Sequence, residues 1–165
     1  GIAAEALRLR GLRPAILDVD VHHGNGTQGI FYARKDVLTV SIHADPARFY
    51  PFYWGHAHER GAGEGLGYNL NLPLPRGIGD ADYLAALEQG LQAVDSFGAD
   101  VIVVALGLDA HEDDPFQGFR VTTPGFARIA AAIAARGLPV LVVQEGGYLS
   151  PALGGNLTSF LSGLA

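Results

Sequence analysis

The stretch Pro14-Ala-Ile-Leu-Asp-Val-Asp-Val-His-His-Gly-Asn-Gly-Thr27 decides the fold, because an apolar segment runs directly into acids, histidines and glycines. Apolar runs of this length are typical of strands that are buried on both faces of a parallel sheet. Side chains two positions apart on an extended backbone lie on the same face, which places Asp18, Asp20 and His22 together. His23 then points to the opposite side, so the two histidines are not expected to bind one ion.

Two carboxylates and an imidazole are suitable ligands for Zn²⁺ in a chain that contains no cysteine. The alternative for a lone Asp-x-His pattern is that the aspartate caps the next turn and that the histidine is solvated. Short motifs match by chance often. The length of the pattern Asp18–Thr27 nevertheless favours a metal site.

The rest of the chain alternates apolar strands with amphipathic helices, a pattern typical of an α/β fold with a parallel sheet and helices on both faces. Segment 68–74 alternates as an edge strand does, whereas 37–43, 101–106 and 140–143 are expected to be fully buried. Asp80 is the expected N-cap of the longest helix. The predicted strands are 15–20, 37–43, 68–74, 101–106 and 140–143, and the predicted helices are 2–10, 27–33, 80–97, 123–136 and 153–164.

Ligands of parallel α/β sheets bind beyond the carboxyl ends of the strands. Asp20 with His22, His43, Asp109 and Tyr148 all fall at those ends in the predicted arrangement. We therefore expect one shared site at this edge of the sheet.

Length and composition restrict the classes of function. A chain of 165 residues with 48% hydrophobic and 17% charged residues fits a single domain with a core. It contains no apolar run of the ~18 residues that a membrane span needs and no signal-peptide core, which predicts a cytoplasmic protein with no membrane partner. A net charge of −6 without a basic stripe argues against nucleic acid and fits a cationic substrate.

The pattern Asp-x-Asp-x-His-His-Gly-x-Gly after an apolar strand resembles the zinc-dependent histone deacetylase family, which includes bacterial acetylpolyamine amidohydrolases. Three later stretches occur in the order found in that family: Val40-Ser-Ile-His43, Gly107-Leu-Asp-Ala-His-Glu-Asp-Asp-Pro115 and Gln144-Glu-Gly-Gly-Tyr148. The resemblance implies an arginase/deacetylase-like α/β fold. It also implies hydrolysis of acetylated amines.

The resemblance assigns roles to individual residues. Asp20, His22 and Asp109 match the zinc ligands, and a set of three leaves positions open for water and a substrate carbonyl, as a catalytic site requires. Tyr148 matches a donor to the oxyanion, and Gly147 before it is a candidate substrate contact. Without the resemblance, a packed loop tyrosine would be the preferred interpretation of Tyr148.

A structural potassium ion is also implied by the resemblance. Its expected ligands are the carbonyls of Asp18, Asp20 and His22, the Ser41 hydroxyl and the Ile42 carbonyl. Asp18 is in addition expected to touch this ion with its side chain and to support a catalytic histidine. For Ser41, a hydroxyl bonded locally to the backbone is an equally favoured interpretation.

The long aromatic segment 44–67 is expected either to line a substrate channel or to pack onto the sheet, and the sequence favours neither. Tyr50 within it matches a tunnel-wall aromatic of the family. The polar segment 111–114 is expected to be a solvated rim of the site.

The family uses a tandem histidine pair, upstream of the zinc-binding strand, as general base and acid, and no histidine precedes that strand here. We therefore expect residues 1–165 to be the C-terminal portion of a single deacetylase-like domain, with an unpaired sheet edge. Proton transfer contributes about 10²- to 10⁴-fold to such reactions, so the isolated segment should be nearly inactive.

The leading hypothesis is a zinc-dependent amidohydrolase that removes acetyl groups from a small cationic acetylated amine, of the acetylpolyamine or acetyl-lysine type. The segment 52–65 resembles the bacterial small-molecule branch. The alternatives are an arginase-like binuclear manganese hydrolase and a non-catalytic metal-binding scaffold. The sequence leaves the oligomeric state open, with a homodimer as one expected form.

Overall fold

A five-stranded parallel sheet lies at the centre of the computed structural model, which describes residues 1–165. All four strand pairings are parallel, and the spatial order is β3-β2-β1-β4-β5. The predicted α/β fold is therefore confirmed. The strands are β1 (Pro14–Asp18), β2 (Leu38–Ala44), β3 (Asn69–Leu74), β4 (Val101–Leu106) and β5 (Val140–Gln144).

Five α-helices connect or flank these strands, and every predicted helix is present with ends shifted by at most two residues. Not one of them has both the length and the apolar character that crossing a membrane requires. The helices are α1 (Ile2–Arg8), α2 (Asn25–Phe31), α3 (Asp80–Phe97), α4 (Thr123–Ala134) and α5 (Leu153–Gly163).

Helices cover both faces of the sheet, as predicted, but the two layers are unequal. The main core of 27 buried residues lies between the sheet and α3, α4 and α5, with Leu17 of β1 and Leu91 of α3 among its members. The opposite face has only a small cluster, formed by Ala4, Ile16, Phe31, Val37 and Val103 beneath α1 and α2. Most of the hydrophobic stabilisation therefore comes from one side of the sheet.

Strand β5 corrects one prediction, because it is not fully buried. Leu141 and Val143 each retain 38% of their surface exposed. Strand β5 pairs only with β4, so its second edge has no strand partner. The apolar run predicted the strand correctly but does not reveal which neighbours cover it.

The start of α3 corrects a second prediction. Asp80 is the first residue of the helix, and Gly79 is its N-cap. The Asp80 carboxylate instead accepts hydrogen bonds from the backbone N–H and the hydroxyl of Thr122, at 2.9 and 2.8 Å. Thr122 is the N-cap of α4 and accepts from the N–H of Gly125 at 3.1 Å. Asp80 thus ties the N-termini of two helices together.

Candidate metal centre

The three predicted metal ligands come together at the carboxyl ends of two neighbouring strands. Asp20 and His22 follow β1, Asp109 follows β4, and these strands pair directly. His22 Nδ1 lies 3.0 Å from Asp20 Oδ1 and 3.2 Å from Asp109 Oδ2. One ligand atom from each residue lies within 4.8 Å of the other two, which is compact enough for a single ion.

The reason why Asp20 and His22 face the same way differs from the one expected. Strand β1 ends at Asp18 rather than Asp20, so strand alternation does not continue to His22. Instead, Asp18 Oδ1 accepts from the N–H of Asp20 at 3.0 Å, and Asp20 Oδ1 accepts from the N–H of His22 at 2.7 Å. Aspartate side chains commonly bond the backbone two residues on in this way. The Asp-x-Asp-x-His spacing therefore encodes two consecutive turns.

Backbone donors hold both carboxylates in place. Asp20 Oδ2 accepts from the N–H of Gly146 at 2.9 Å, and Asp109 Oδ1 accepts from the N–H of Val21 at 3.0 Å. Hydrogen bonds of this kind orient ligands in metal sites. The segment after β5 therefore supports the centre without supplying a ligand.

Two glycines leave the space that the carboxylates occupy. A Cβ atom at Gly107 would lie 2.4 Å from Asp20 Oδ2, and one at Gly146 would lie 2.1 Å from Asp109 Oδ2. Any larger residue would have to displace a carboxylate at either position. Both glycines belong to the quoted motifs, but the need for a glycine at these positions is visible only in the structure.

The electrostatics of the cluster favour a bound positive charge. Burial and the neighbouring Asp20 carboxylate raise the pKa of Asp109. Burial lowers the pKa of His22, but hydrogen bonds to Asp109 and Asp20 outweigh it and raise that pKa to about 9. Two carboxylates and one imidazole nitrogen around a small space fit a zinc dication, whose charge would offset the repulsion between the acids.

Tyr148 lines the same cavity as Asp20 and His22, which has a volume of about 420 Å³. The Tyr148 ring packs edge-on against Phe116, with 4.7 Å between centroids, and Phe116 packs edge-on against His22 at 5.5 Å. Burial, with the charges of Asp109 and Asp20, raises the pKa of Tyr148. Its hydroxyl therefore carries its proton at neutral pH and can donate it in a hydrogen bond. Phe116 was missed by sequence analysis.

Gly147 is needed for the backbone path that leads to Tyr148. Its φ of +132° is unfavourable for other residues, and a Cβ would lie 3.0 Å from side-chain atoms of Leu108 and Leu153. The structure therefore gives Gly147 a conformational role beside the site.

Two of the candidate potassium ligands are neighbours in the sheet. Asp18 and Ser41 are register partners on β1 and β2, and both are buried. Burial and the charge of Asp20 raise the pKa of Asp18 well above its ordinary value. The carbonyl oxygens of Asp20 and His22 accept no hydrogen bond within the chain. Unpaired carbonyls beside a buried carboxyl fit a monovalent cation with oxygen ligands. Ile42 follows Ser41 on β2.

The Ser41 hydroxyl also has local partners. Its oxygen accepts from the N–H of Gly24 at 3.2 Å and lies 2.9 Å from His43 Nδ1. A Cβ at Gly24 would lie 2.2 Å from Asp18 Oδ2, so this position too requires glycine. Local hydrogen bonding, one of the two interpretations left open for Ser41, is present.

Two histidines lie outside the metal centre. His23 points away from the ligands, as predicted, and its Nε2 lies 2.9 Å from Gln28 Oε1. His43 was expected at the shared site but is fully buried behind His23, with its Nε2 2.8 Å from the carbonyl of Gly55. That expectation is wrong because a position at a strand end does not fix the direction of the side chain.

The predicted solvated rim is wrong at two of its four positions, because His111 and Asp114 are buried. His111 Nδ1 accepts from the N–H of Asp113 at 3.2 Å, and Asp114 Oδ1 accepts from the N–H of Phe116 at 2.8 Å. Glu112 and Asp113 are exposed, as expected. The buried pair shapes the loop that carries Phe116.

In the aromatic segment 44–67, one ring is buried and the others are exposed. Phe49 is buried and its ring lies 5.2 Å from that of His22. Tyr50 is 60% exposed and meets His22 edge-on at 6.0 Å, so it lies at the surface beside this candidate ligand. Phe52, Tyr53 and Trp54 are also exposed. One aromatic therefore packs inward, and the others remain at the surface.

The chain is similar to known proteins along nearly its whole length. The chain is 51% identical over 162 residues to the acetylpolyamine amidohydrolase of Burkholderia pseudomallei (strain 1710b), covering 98% of this chain and 48% of that protein. It is 46% identical over 165 residues to the acetylpolyamine amidohydrolase of Mycoplana ramosa, with coverage of 99% and 48%. The chain thus spans about half the length of these relatives.

Two solved structures superimpose on nearly the whole chain. The crystal structure of the acetylpolyamine aminohydrolase from Burkholderia pseudomallei superimposes with a TM-score of 0.96 at 51% identity, over 99% of this chain and 48% of that chain. An HDAC homologue from Aquifex aeolicus superimposes with a TM-score of 0.90 at 34% identity, over 98% and 45%. Residues 1–164 match the histone deacetylase domain. The chain therefore belongs to the histone deacetylase domain family.

Proposed function

We propose that this chain carries the metal-binding and oxyanion-binding part of a zinc-dependent amidohydrolase that removes acetyl groups from acetylated amines. The observation that carries the proposal is the convergence of Asp20, His22 and Asp109 within 4.8 Å, in a cavity that Tyr148 also lines. Residues 1–165 would form the C-terminal portion of a single deacetylase-like domain.

Asp20, His22 and Asp109 would hold the zinc ion, which supplies Lewis acidity toward the amide carbonyl and lowers the pKa of a water molecule. Hydrogen bonds from Gly146 and Val21 keep the two carboxylates oriented. The described residues contain one cluster of three metal-ligating side chains. A binuclear manganese site of the arginase type would need further bridging carboxylates, so this alternative is disfavoured.

We also propose that a potassium ion binds behind the zinc site. Its ligands would be the carbonyls of Asp18, Asp20 and His22 with the Ser41 hydroxyl and the Ile42 carbonyl. The unpaired carbonyls of Asp20 and His22 support the assignment. The positive charge would offset the burial of Asp18.

Tyr148 donates its hydroxyl proton in a hydrogen bond to the oxyanion that forms when the amide carbonyl is attacked. The raised pKa of Tyr148 keeps this donor protonated, and Phe116 supports its ring. Removing one such donor typically slows acyl transfer about 10²- to 10³-fold. A metal-binding scaffold would have no use for this donor, so the retained Tyr148 favours an enzyme.

The general base of the reaction has no candidate among the nearby histidines. His22 is a proposed ligand, His23 is bonded to Gln28, and His43 is bonded to the Gly55 carbonyl. We propose that the base lies outside these 165 residues. The segment alone is then expected to have little activity even when zinc is bound.

Small acetylated amines are the proposed substrates. Two relatives at 46–51% identity are named acetylpolyamine amidohydrolases. The net charge of −6 favours a substrate that carries ammonium groups. We therefore expect acetylputrescine to be hydrolysed faster than an acetyl-lysine peptide.

The proposal is tested by assaying the product of the complete gene on acetylputrescine and on an acetyl-lysine peptide. We expect Tyr148→Phe to lower kcat about 10²- to 10³-fold without loss of bound zinc. Tyr68→Phe is the matched control, because Tyr68 packs against Phe97 and does not line the cavity. Failure of the zinc-loaded protein to hydrolyse either substrate would overturn the proposal and favour the scaffold.

A further inference from the structure

A second cavity lies beside α2 and shares no lining residue with the cavity of the metal centre. Its volume is about 360 Å³. Three aromatic rings and one carboxylate contribute to its wall, and none of its lining residues is a lysine, arginine or histidine. The lining residues are Gln28, Gly29, Tyr32, Tyr53, Trp54 and Glu59.

The carboxylate of Glu59 is held in a fixed position. Its Oε2 atom accepts from Gln28 Nε2 at 2.7 Å and from the N–H of Gly55 at 2.9 Å. Asn71 Nδ2 lies 3.4 Å from the same oxygen, so three donors gather at Oε2, and Oε1 accepts none of these bonds. Partial burial raises the pKa of Glu59, but the bonds from Gln28 and Gly55 outweigh it and lower the pKa. Glu59 is therefore negatively charged at neutral pH.

The aromatic wall is partly fixed by the same contacts. Gly55, which Glu59 holds, directly follows Trp54 in the chain. The indole ring of Trp54 packs over Gly29 of α2, where an added Cβ would lie 3.3 Å from it. Trp54 and Tyr53 are nevertheless 47% and 84% exposed. Their exposed surface has no role in the proposed hydrolysis.

We propose that this cavity binds a small alkylammonium cation. Aromatic faces attract such cations, and tryptophan does so most strongly. A carboxylate beside the rings supplies the opposite charge, while the rings supply apolar contact for the methyl or methylene groups. A neutral ligand would leave the Glu59 charge partly desolvated and uncompensated. The site involves no metal, so its occupancy does not depend on zinc or on turnover.

The test is calorimetric titration of the complete gene product, with its metal in place, with choline and with 3,3-dimethyl-1-butanol. These two ligands have the same shape and differ by one positive charge. We expect choline to bind at least about tenfold more tightly than its neutral analogue, which corresponds to about 1.4 kcal/mol. Equal affinities for the two ligands, or no binding of choline at millimolar concentration, would overturn the proposal.

Two variants locate the binding. Glu59→Gln keeps an oxygen that can accept from Gln28 and Gly55 but removes the charge, so choline should bind about five- to tenfold more weakly. Trp54→Leu, at a position that is 47% exposed, should weaken choline binding by a similar factor. Glu64→Gln makes the same charge change in the same segment at an exposed pair with Lys35, outside the cavity, and should have no effect. Unchanged choline affinity in both Glu59→Gln and Trp54→Leu would contradict the assignment.

Discussion

Replacing Gly146 by alanine places a methyl group between the two carboxylates of the candidate metal centre. The added Cβ would lie 2.1 Å from Asp109 Oδ2 and 2.2 Å from Asp20 Oδ2. Because real Cβ contacts are not found below 3.0 Å, both oxygens must move by about 1 Å, several times the ~0.2 Å tolerance of metal–ligand distances. The substitution should therefore remove two ligands at once.

The expected effect on metal binding is large. Losing an outer hydrogen-bond partner of a ligand typically costs 10- to 100-fold in affinity, so displacing the ligands themselves should cost at least ~100-fold. The assay is competition for zinc against a chromophoric chelator, with the complete gene product. Gly154→Ala in α5 is the control, because its Cβ would meet nothing within 4 Å. Unchanged zinc affinity in Gly146→Ala would refute the assignment of Asp20 and Asp109 as ligands.

Two further predictions concern stability. Thr122→Ala removes the N-cap of α4 and a partner of Asp80, and should lower the free energy of unfolding in urea by about 1–2 kcal/mol; a loss no larger than that of the exposed Thr158→Ala would contradict the capping role. Burial lowers the pKa of His43 to about 4, from 6.5, so its neutral form is favoured in the folded state. The resulting contribution to the free energy of unfolding is complete above pH 6.5. It falls by about 3 kcal/mol as the pH falls toward 4, because the unfolded chain then binds a proton that the folded chain does not. Urea unfolding between pH 4 and 7 should show this slope, and a His43→Gln variant with the same slope would exclude His43 as its source.

Much of the fold could be predicted because each buried strand is a continuous apolar run and each long helix has a clear stop. Gly98 directly follows α3, where the sequence placed its end, and Gly137 lies three residues beyond α4, which ends two residues earlier than predicted. Both glycines adopt positive φ. The exposure of β5 was not predictable, because periodicity describes a strand but not its neighbours. Asp80 was predicted to cap α3, but its carboxylate bonds to Thr122 at the start of α4. This contact was not predictable because the two residues are distant in sequence.

The sequence predicted which residues form the candidate site, but not the direction in which every side chain points. Asp20, His22 and Asp109 are brought together, although turns made by aspartate side chains replace the expected strand alternation. His43 and His111 also lie at strand ends or in motifs but point into the protein interior. Burial depends on contacts between distant segments, which one sequence does not reveal.

The most direct test of the proposed chemistry is the metal content of the complete gene product, measured together with acetylputrescine hydrolysis before and after chelation. The proposed centre predicts one zinc ion per chain, loss of turnover when zinc is removed, and recovery when zinc is restored. Asp109→Asn should bind less zinc and lose activity in parallel. Turnover that persists without metal, or two manganese ions per chain, would contradict the assignment of Asp20, His22 and Asp109 as a single zinc site.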